Sequence, residues 1–238
     1  MRSRSLRGLI DASLKRGLDL ALAATSVAVL VPTTPLLALA IRIETKGPVF
    51  FGCARLGRGG RAIKIWKFRT MVDAAPERFN PDGSRLVETN DPRVTRVGAF
   101  LRGGLDELPQ AFSVLRGDLS FVGPRPDDLY AVDLYRGAEW LKLAVTPGIT
   151  GLAQVNGRND LPHAERLKYD IYYALHRDLW LDVRIIARTL GQAVGWQPET
   201  PLVDHDVVEQ VATSTLAAER AVEIEREARA RAEAQGQI

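Results

Sequence analysis

Twenty-two consecutive residues, Leu20 to Ile41, carry no charge, and this run limits the folds open to the chain more than any other stretch. At about 1.5 Å of rise per residue, a straight helix of that length reaches across a bilayer core. The run is too long for the apolar part of a signal peptide, and no small-residue cleavage site follows it. Pro32 and Pro35 fall inside it and remove the helix donors toward Ala28 and Val31. Both flanks are basic, with Arg2, Arg4, Arg7, Lys15 and Arg16 before the run and Arg42, Lys46, Arg55, Arg58 and Arg61 after it. Positive charge on both sides gives a spanning orientation no preference. A helix that bends at the prolines and returns to its own side satisfies both flanks, with Thr33 and Thr34 placed to bond backbone groups freed at the bend. These residues alone leave a kinked span and a re-entrant hairpin both open.

The second constraint is LRGGLDELPQAFSVLRGDLSFVGPRP, Leu101 to Pro126. Asp106 has the chemistry of a helix N-cap. Leu108, Ala111, Phe112 and Leu115 follow on one face at helical spacing, Pro109 is tolerated in a first turn, and Gly117 gives a stop. The expectation is a helix of about three turns with Asp106 at its positive end. An ionised carboxylate or a phosphate is stabilised there. Taken alone, Asp106 and Glu107 read first as ordinary caps of a core helix. Their neighbours favour more: Gly103 and Gly104 clear side chains from the backbone, Arg102 precedes them, and Arg125 is held between Pro124 and Pro126. An arginine fixed in this way suits bidentate phosphate contact.

A net charge of +3 on 238 residues excludes a polybasic nucleic-acid binder. The basic residues are uneven, however: from Met1 to Arg69 the only acids are Asp11, Asp19 and Glu44, so the front end favours an anionic surface. Cys53 is the only cysteine, which rules out a disulfide framework within one chain. Val49 to Ala54 and Ala62 to Phe68 flank Gly57, Gly59 and Gly60 and read as a β-hairpin whose second arm carries Lys64, Lys67 and Arg69. Pro76 to Asn90 reads as a polar surface loop. Asp127 and Asp128 suit the start of a helix running to about Trp140. Thr146 to Arg158 is too glycine-punctuated for a long helix. Pro162 opens a helix with Leu167, Ile171, Ala174 and Leu175 inside. From Trp180 to Trp196, Val183, Ile186, Ala187, Leu190 and Val194 form one stripe with Arg184 and Arg188 off it, which suits either an interfacial membrane helix or a core helix. Beyond Gln197, Pro198 and Pro201 mark a linker, and Thr215 to Gln237 reads as a helix-prone, solvated or disordered tail.

Metal-ligand spacings of Cys and His, a Walker loop and a G-x-S-x-G turn are all missing. A carboxylate pair, several cations and a membrane segment remain. Phosphoryl transfer asks for positioning and charge neutralisation more than for unusual groups, and a carboxylate can serve as nucleophile. Six segments in order then carry a family resemblance: KRGLDL at Lys15, GPVFF at Gly47, KFRTM at Lys67, LDELPQ at Leu105, GDLSFVGPRP at Gly117 and PGITGLAQVNGR at Pro147. Over about Leu14 to Trp196 the chain resembles the bacterial sugar transferases, the monotopic phosphoglycosyl transferases.

The resemblance implies transfer of a sugar 1-phosphate from a UDP-sugar to polyprenol phosphate, with UMP released. It implies Asp106 as nucleophile and Mg²⁺ ligand, and Glu107 as its metal-side or proton-handling partner. Lys67, Arg102 and Arg125 would hold phosphate, with Arg158 on the nucleotide side. It also implies a re-entrant helix broken at Pro32, where Val31 replaces the family's serine. The family's usual spacing between Arg102 and Asp106 is shortened here, Cys53 stands at a common glutamine position, and longer relatives carry several membrane spans ahead of this domain. The expected fold is mainly α with a small β-hairpin, a monotopic membrane protein with interfacial amphipathic helices. Its parts are a basic segment (1–16), the re-entrant helix (17–43), a catalytic domain (44–196) and a linker with charged tail (197–238). Membrane lipid is an expected partner, a homo-oligomer is compatible, and the expected location is the cytoplasmic face of the bacterial inner membrane. A metal-dependent nucleotide-diphosphate hydrolase and a non-enzymatic membrane scaffold are the alternatives, and neither requires transfer to a lipid.

Overall fold

The computed structural model describes residues 6–76, 78, 91–157, 161–196, 198 and 200–236, with side chains from residue 10 onward. The charge-free run lies inside one helix, α1 (Leu6–Glu44), which continues through Pro32 and Pro35 without ending. The hydroxyls of Thr33 and Thr34 donate to Val29 O (2.8 Å) and Leu30 O (2.7 Å), beside the carbonyls that the prolines leave without donors rather than to them. Little of the apolar stretch of α1 is buried, and Val31, Leu36, Leu39 and Ile43 face outward.

Both ends of α1 are tied to the same body. Near its start, Lys15 Nζ meets Asp182 Oδ2 at 2.7 Å, Arg16 donates to Val114 O and Leu115 O, and Asp19 Oδ1 accepts from Ser120 Oγ and Phe121 N. At its end, the Glu44 carboxylate accepts from Arg96 N (2.6 Å) and Val97 N (2.8 Å), and Arg69 donates to Thr45 O and Lys46 O. Ala23, Leu30 and Ile41 form the inward face between these ties.

The hairpin follows as expected: β1 (Phe50–Leu56) pairs antiparallel with β2 (Ala62–Phe68), from Phe50↔Phe68 to Leu56↔Ala62. α2 (Arg96–Leu101) leads to a 3-10 turn, Leu105–Gln110, that runs into α3 (Ala111–Arg116). β3 (Ser120–Val122) pairs in parallel with β4 (Gly148–Thr150). The helix expected from Asp127 to Trp140 is instead α4 (Ala131–Leu134) and a second 3-10 stretch, Gly137–Ala144. Tyr135 turns extended between them, and Gly137 takes a positive φ that ends any continuous helix.

α5 (Leu152–Gly157), α6 (His163–His176) and α7 (Leu179–Ala193) follow. On α7 most of the expected apolar stripe faces outward, with Leu190 64% and Val194 85% exposed, although Ile186 packs against the core; Leu181, Ile185 and the supposedly outer Arg188 are buried. α8 (His205–Ala212) and α9 (Thr215–Ala234) make up the tail. The tail is helical but not solvated all round: α9 packs its alanines into the main core, around Trp140, Tyr135 and Leu141. Most of the Pro76–Asn90 loop lies outside the described residues.

Candidate active site

Two glycines set the approach to Asp106. A Cβ on Gly98 would stand 1.9 Å from Thr70 O, so α2 lies directly on the end of the KFRT strand. Gly104, at φ 117°, then reverses the chain into the 3-10 turn. Asp106 is therefore not the cap residue; Gly104 takes that position, and Asp106 sits one residue inside the turn and is buried. The turn and α3 together still span about three turns and stop at Gly117, in left-handed backbone at φ 83°. Of the expected inner face, Ala111 is buried, but Phe112 and Leu115 are partly exposed, and Ser113 and Val114 take the inner positions.

Lys67 reaches the site by strand alternation. Ile63 and Ile65 point into the core, and Lys67 is the next residue on that face of β2. Its Nζ stands 3.7 Å from Glu107 Oε1. Arg125 arrives from the other side, on the loop after β3. That loop is held by Gly123 N to Thr150 O and by Gly148 N to Pro124 O, each 2.9 Å. The two glycines let the VGP and PGIT backbones touch, since a Cβ on Gly148 would come within 2.1 Å of Gly123 N. Arg125 Nη2 donates to Glu107 Oε1 at 3.2 Å, and its side chain remains 52% exposed, open to a ligand.

These positions separate the two carboxyls. Burial, reinforced by the neighbouring Glu107 charge, pushes the Asp106 carboxyl up. Burial acts the same way on Glu107, but Arg125 and Lys67 outweigh it and hold that carboxyl below its ordinary value. Burial and the nearby Arg125 lower Lys67, against the pull of Glu107. A desolvated, more basic carboxylate thus stands beside an ionised one clamped by two cations.

The other expected ligands differ. Arg102 is exposed just past α2, with Nε donating to Thr70 Oγ1 at 3.3 Å; among the described ion pairs of Glu107 the cations are Lys67 and Arg125. Arg158 lies outside the described residues. Among the described residues no group of three or more His, Cys, Asp or Glu is arranged to hold a metal. Two adjacent carboxylates still fit Mg²⁺ in its usual protein setting, where one or two carboxylates share the ion with substrate phosphates.

A separate apolar groove of about 570 Å³ is lined by Leu30, Val31 and Thr34 of α1, Phe50 and Trp66 of the hairpin, and Pro109, Phe112 and Arg116. Sequence reading missed a second charged cluster behind Arg125: Lys142 Nζ meets Asp127 Oδ2 (2.8 Å) and Asp170 Oδ2 (3.0 Å), and Tyr135 OH donates to Asp127 Oδ2 (2.6 Å). The lone Lys142 on an otherwise apolar WLKLAV run was the available signal.

The family model for bacterial sugar transferases matches residues 10–196. The exopolysaccharide production protein ExoY of Rhizobium meliloti (strain 1021) is 38% identical over 189 residues, covering 74% of this chain and 83% of ExoY. A UDP-glucose:undecaprenyl-phosphate glucose-1-phosphate transferase of Klebsiella pneumoniae is 40% identical over 190 residues, 76% of this chain but 40% of that protein. A UDP-N-acetylgalactosamine-undecaprenyl-phosphate N-acetylgalactosaminephosphotransferase of Aeromonas hydrophila is 38% identical over 188 residues, again spanning less than half of the relative, 44%.

Proposed function

Because the chain belongs to the bacterial sugar transferase family, we propose that it transfers a sugar 1-phosphate from a UDP-sugar to undecaprenyl phosphate as the initiating step of exopolysaccharide assembly. The observation that carries this is the contrast at Asp106 and Glu107, a desolvated carboxylate beside one fixed by Lys67 and Arg125.

In the first half-reaction an Asp106 carboxylate oxygen attacks the sugar-bearing phosphorus of the donor. The bond from that phosphorus to the bridging diphosphate oxygen breaks, and UMP departs with its electron pair. Asp106 is left as an acyl phosphate carrying the sugar. In the second, an oxygen of the lipid phosphate attacks the same phosphorus, the acyl–phosphate bond breaks, and the Asp106 carboxylate is restored. Arg125 and Lys67 neutralise the diphosphate during both displacements. Arg102 and Arg158 are assigned to further phosphate and nucleotide contacts. Asp106 and Glu107 would hold Mg²⁺, which supplies charge neutralisation at the diphosphate.

The lipid side of the reading rests on α1 and α7. The outward apolar face of α1, with both its ends tied to one body, favours a helix that enters the membrane from one side rather than a full crossing; the bend at Pro32 remains what the family resemblance implies, since α1 runs through it as one helix. The outward stripe of α7, flanked by Trp180 and Trp196, suits an interfacial helix on the cytoplasmic face of the inner membrane. The apolar groove between α1, the hairpin and α3 is assigned to the acceptor's chain. Incubation with UDP-sugar and Mg²⁺ but no lipid, followed by peptide mass analysis, should find the phosphosugar on Asp106. Adding undecaprenyl phosphate should discharge it. UMP release with no adduct and no need for lipid would instead indicate a hydrolase.

A further inference from the structure

The family match ends at residue 196, yet α9 buries a complete face. Ala217, Ala221, Ala228 and Ala232 recur at helical spacing and are at most 2% exposed. They close over Trp140 and Tyr135, and the Arg229 guanidinium lies 4.9 Å from the Trp140 ring centre. The far end of α9 is fastened to the hairpin turn, where Ala62 N donates to Gln235 Oε1 at 2.9 Å. A Cβ on Gly60 would come within 2.9 Å of the Ala228 methyl, so the turn and the helix touch closely.

Beneath α9 a short relay leads to the active site. Tyr135 packs edge-on against Trp140, with ring centres 5.4 Å apart, and its hydroxyl donates to Asp127 Oδ2 at 2.6 Å. Lys142, on the 3-10 stretch that α9 covers, meets the same oxygen at 2.8 Å. Leu56 N, at the end of β1, donates to Asp127 O at 2.8 Å. Asp127 is thus pinned through side chain and backbone together. Only Pro126 separates it from Arg125, and prolines on both sides leave Arg125 little backbone freedom. Fixing Asp127 therefore fixes where Arg125 can reach.

We propose that α9 and the Tyr135–Asp127–Lys142 cluster form a clamp that sets the reach of Arg125 to Glu107, with Tyr135 and Lys142 as positioning residues for the transfer. The proposal rests on the reading of Asp106 and Glu107 given above. A buried ion cluster adds little net stability over apolar packing of the same shape, so its use here is geometric definition of the loop.

The test is a double-mutant cycle on donor-side turnover, read as adduct formation and UMP release per folded enzyme in membranes. Tyr135→Phe keeps the ring and removes only the bond to Asp127; Lys142 is left intact because its loss would strand the buried Asp170 and the partly buried Asp127. A second variant ends the chain after Ser214 and so deletes α9. Each should slow the wild-type background about tenfold, the scale of one lost aligned contact, and the Arg125→Ala background less than about twofold. Equal losses in both backgrounds, or none in the wild type, would overturn the clamp; should the truncated chain fail to fold, the Tyr135→Phe pair decides alone. An Asp106→Asn control separates the two levels. If it still forms adduct, the underlying reaction is misassigned; if it is dead while the cycle is additive, only the clamp fails.

Discussion

Asp106 and Glu107 are adjacent in the chain, yet their surroundings drive their carboxyls in opposite directions. On the proposed mechanism Asp106 is ionised when it attacks, so turnover should begin to fall on acidification while the pH is still above the ordinary aspartate value of about 3.9. Arg125 and Lys67 hold Glu107 below its ordinary value, which favours its ionised form on that limb. On the alkaline side, the lowered Lys67 should lose its proton below the ordinary value of about 10.4, closing a bell-shaped profile in kcat/KM. The stability consequences have opposite signs. Glu107 contributes stability that is present above its unfolded value, about 4.3, and lost as pH falls through its lower folded value. Asp106, with a raised folded value, weakens the fold at neutral pH, and that penalty is relieved as pH falls through it. Asp106→Asn should therefore melt at a higher temperature than wild type at pH 7 while losing transfer by several orders of magnitude. A melting point at or below wild type would contradict the assignment of burial as the dominant influence. Motifs made these four residues legible in the sequence, but the pairing of Glu107 with both Lys67 and Arg125 depends on three distant segments meeting and was not.

Elements with strong periodicity or distinctive turn chemistry were the legible ones. The hairpin followed from β-prone arms around a glycine cluster, and α6 from its apolar face behind Pro162. The parallel pair β3–β4 was not legible, because three-residue strands carry no alternation pattern. The misread helix after Asp127 failed for a tertiary reason, since Tyr135 leaves helical backbone where its hydroxyl bonds Asp127. Glycine positions around the active site give a graded check of the described backbone. Gly104→Ala meets open space and pays only for its positive φ, roughly 1–3 kcal/mol. Gly98→Ala places its methyl against Thr70 O and should cost more, with loss of the α2 packing that orients the turn. Denaturant midpoints that rank the two the other way would refute this placement of α2. On α7 most of the stripe faces out rather than into the core. Leu190→Glu should thus leave the detergent-solubilised protein within about 0.5 kcal/mol of wild type while lowering its membrane-bound fraction.

For the molecule as a whole, the decisive relation is between α1 and everything else. A helix crossing a bilayer separates its two ends by the hydrocarbon core, roughly 30 Å of apolar medium that tolerates no unpaired charge. Here Lys15, Arg16 and Asp19 at one end and Glu44 at the other bond to groups of a single body. A full crossing would put one of these charged sets, with the part of the body it holds, inside or beyond the membrane. The charge symmetry of the two flanks gave a crossing no preferred orientation but left it open; the anchoring partners, 52 to 167 residues distant along the chain, were invisible in the sequence. In a Cys53→Ser background, single cysteines at Ser13 and Lys46, both exposed, should react with a membrane-impermeant thiol reagent from the same side of sealed inverted vesicles. Both should be protected in intact cells. Labelling of Ser13→Cys from one side and Lys46→Cys from the other would establish a crossing helix. The charged ties at the two ends of α1 could not then form together, and the body would have to release one of them to enter the membrane.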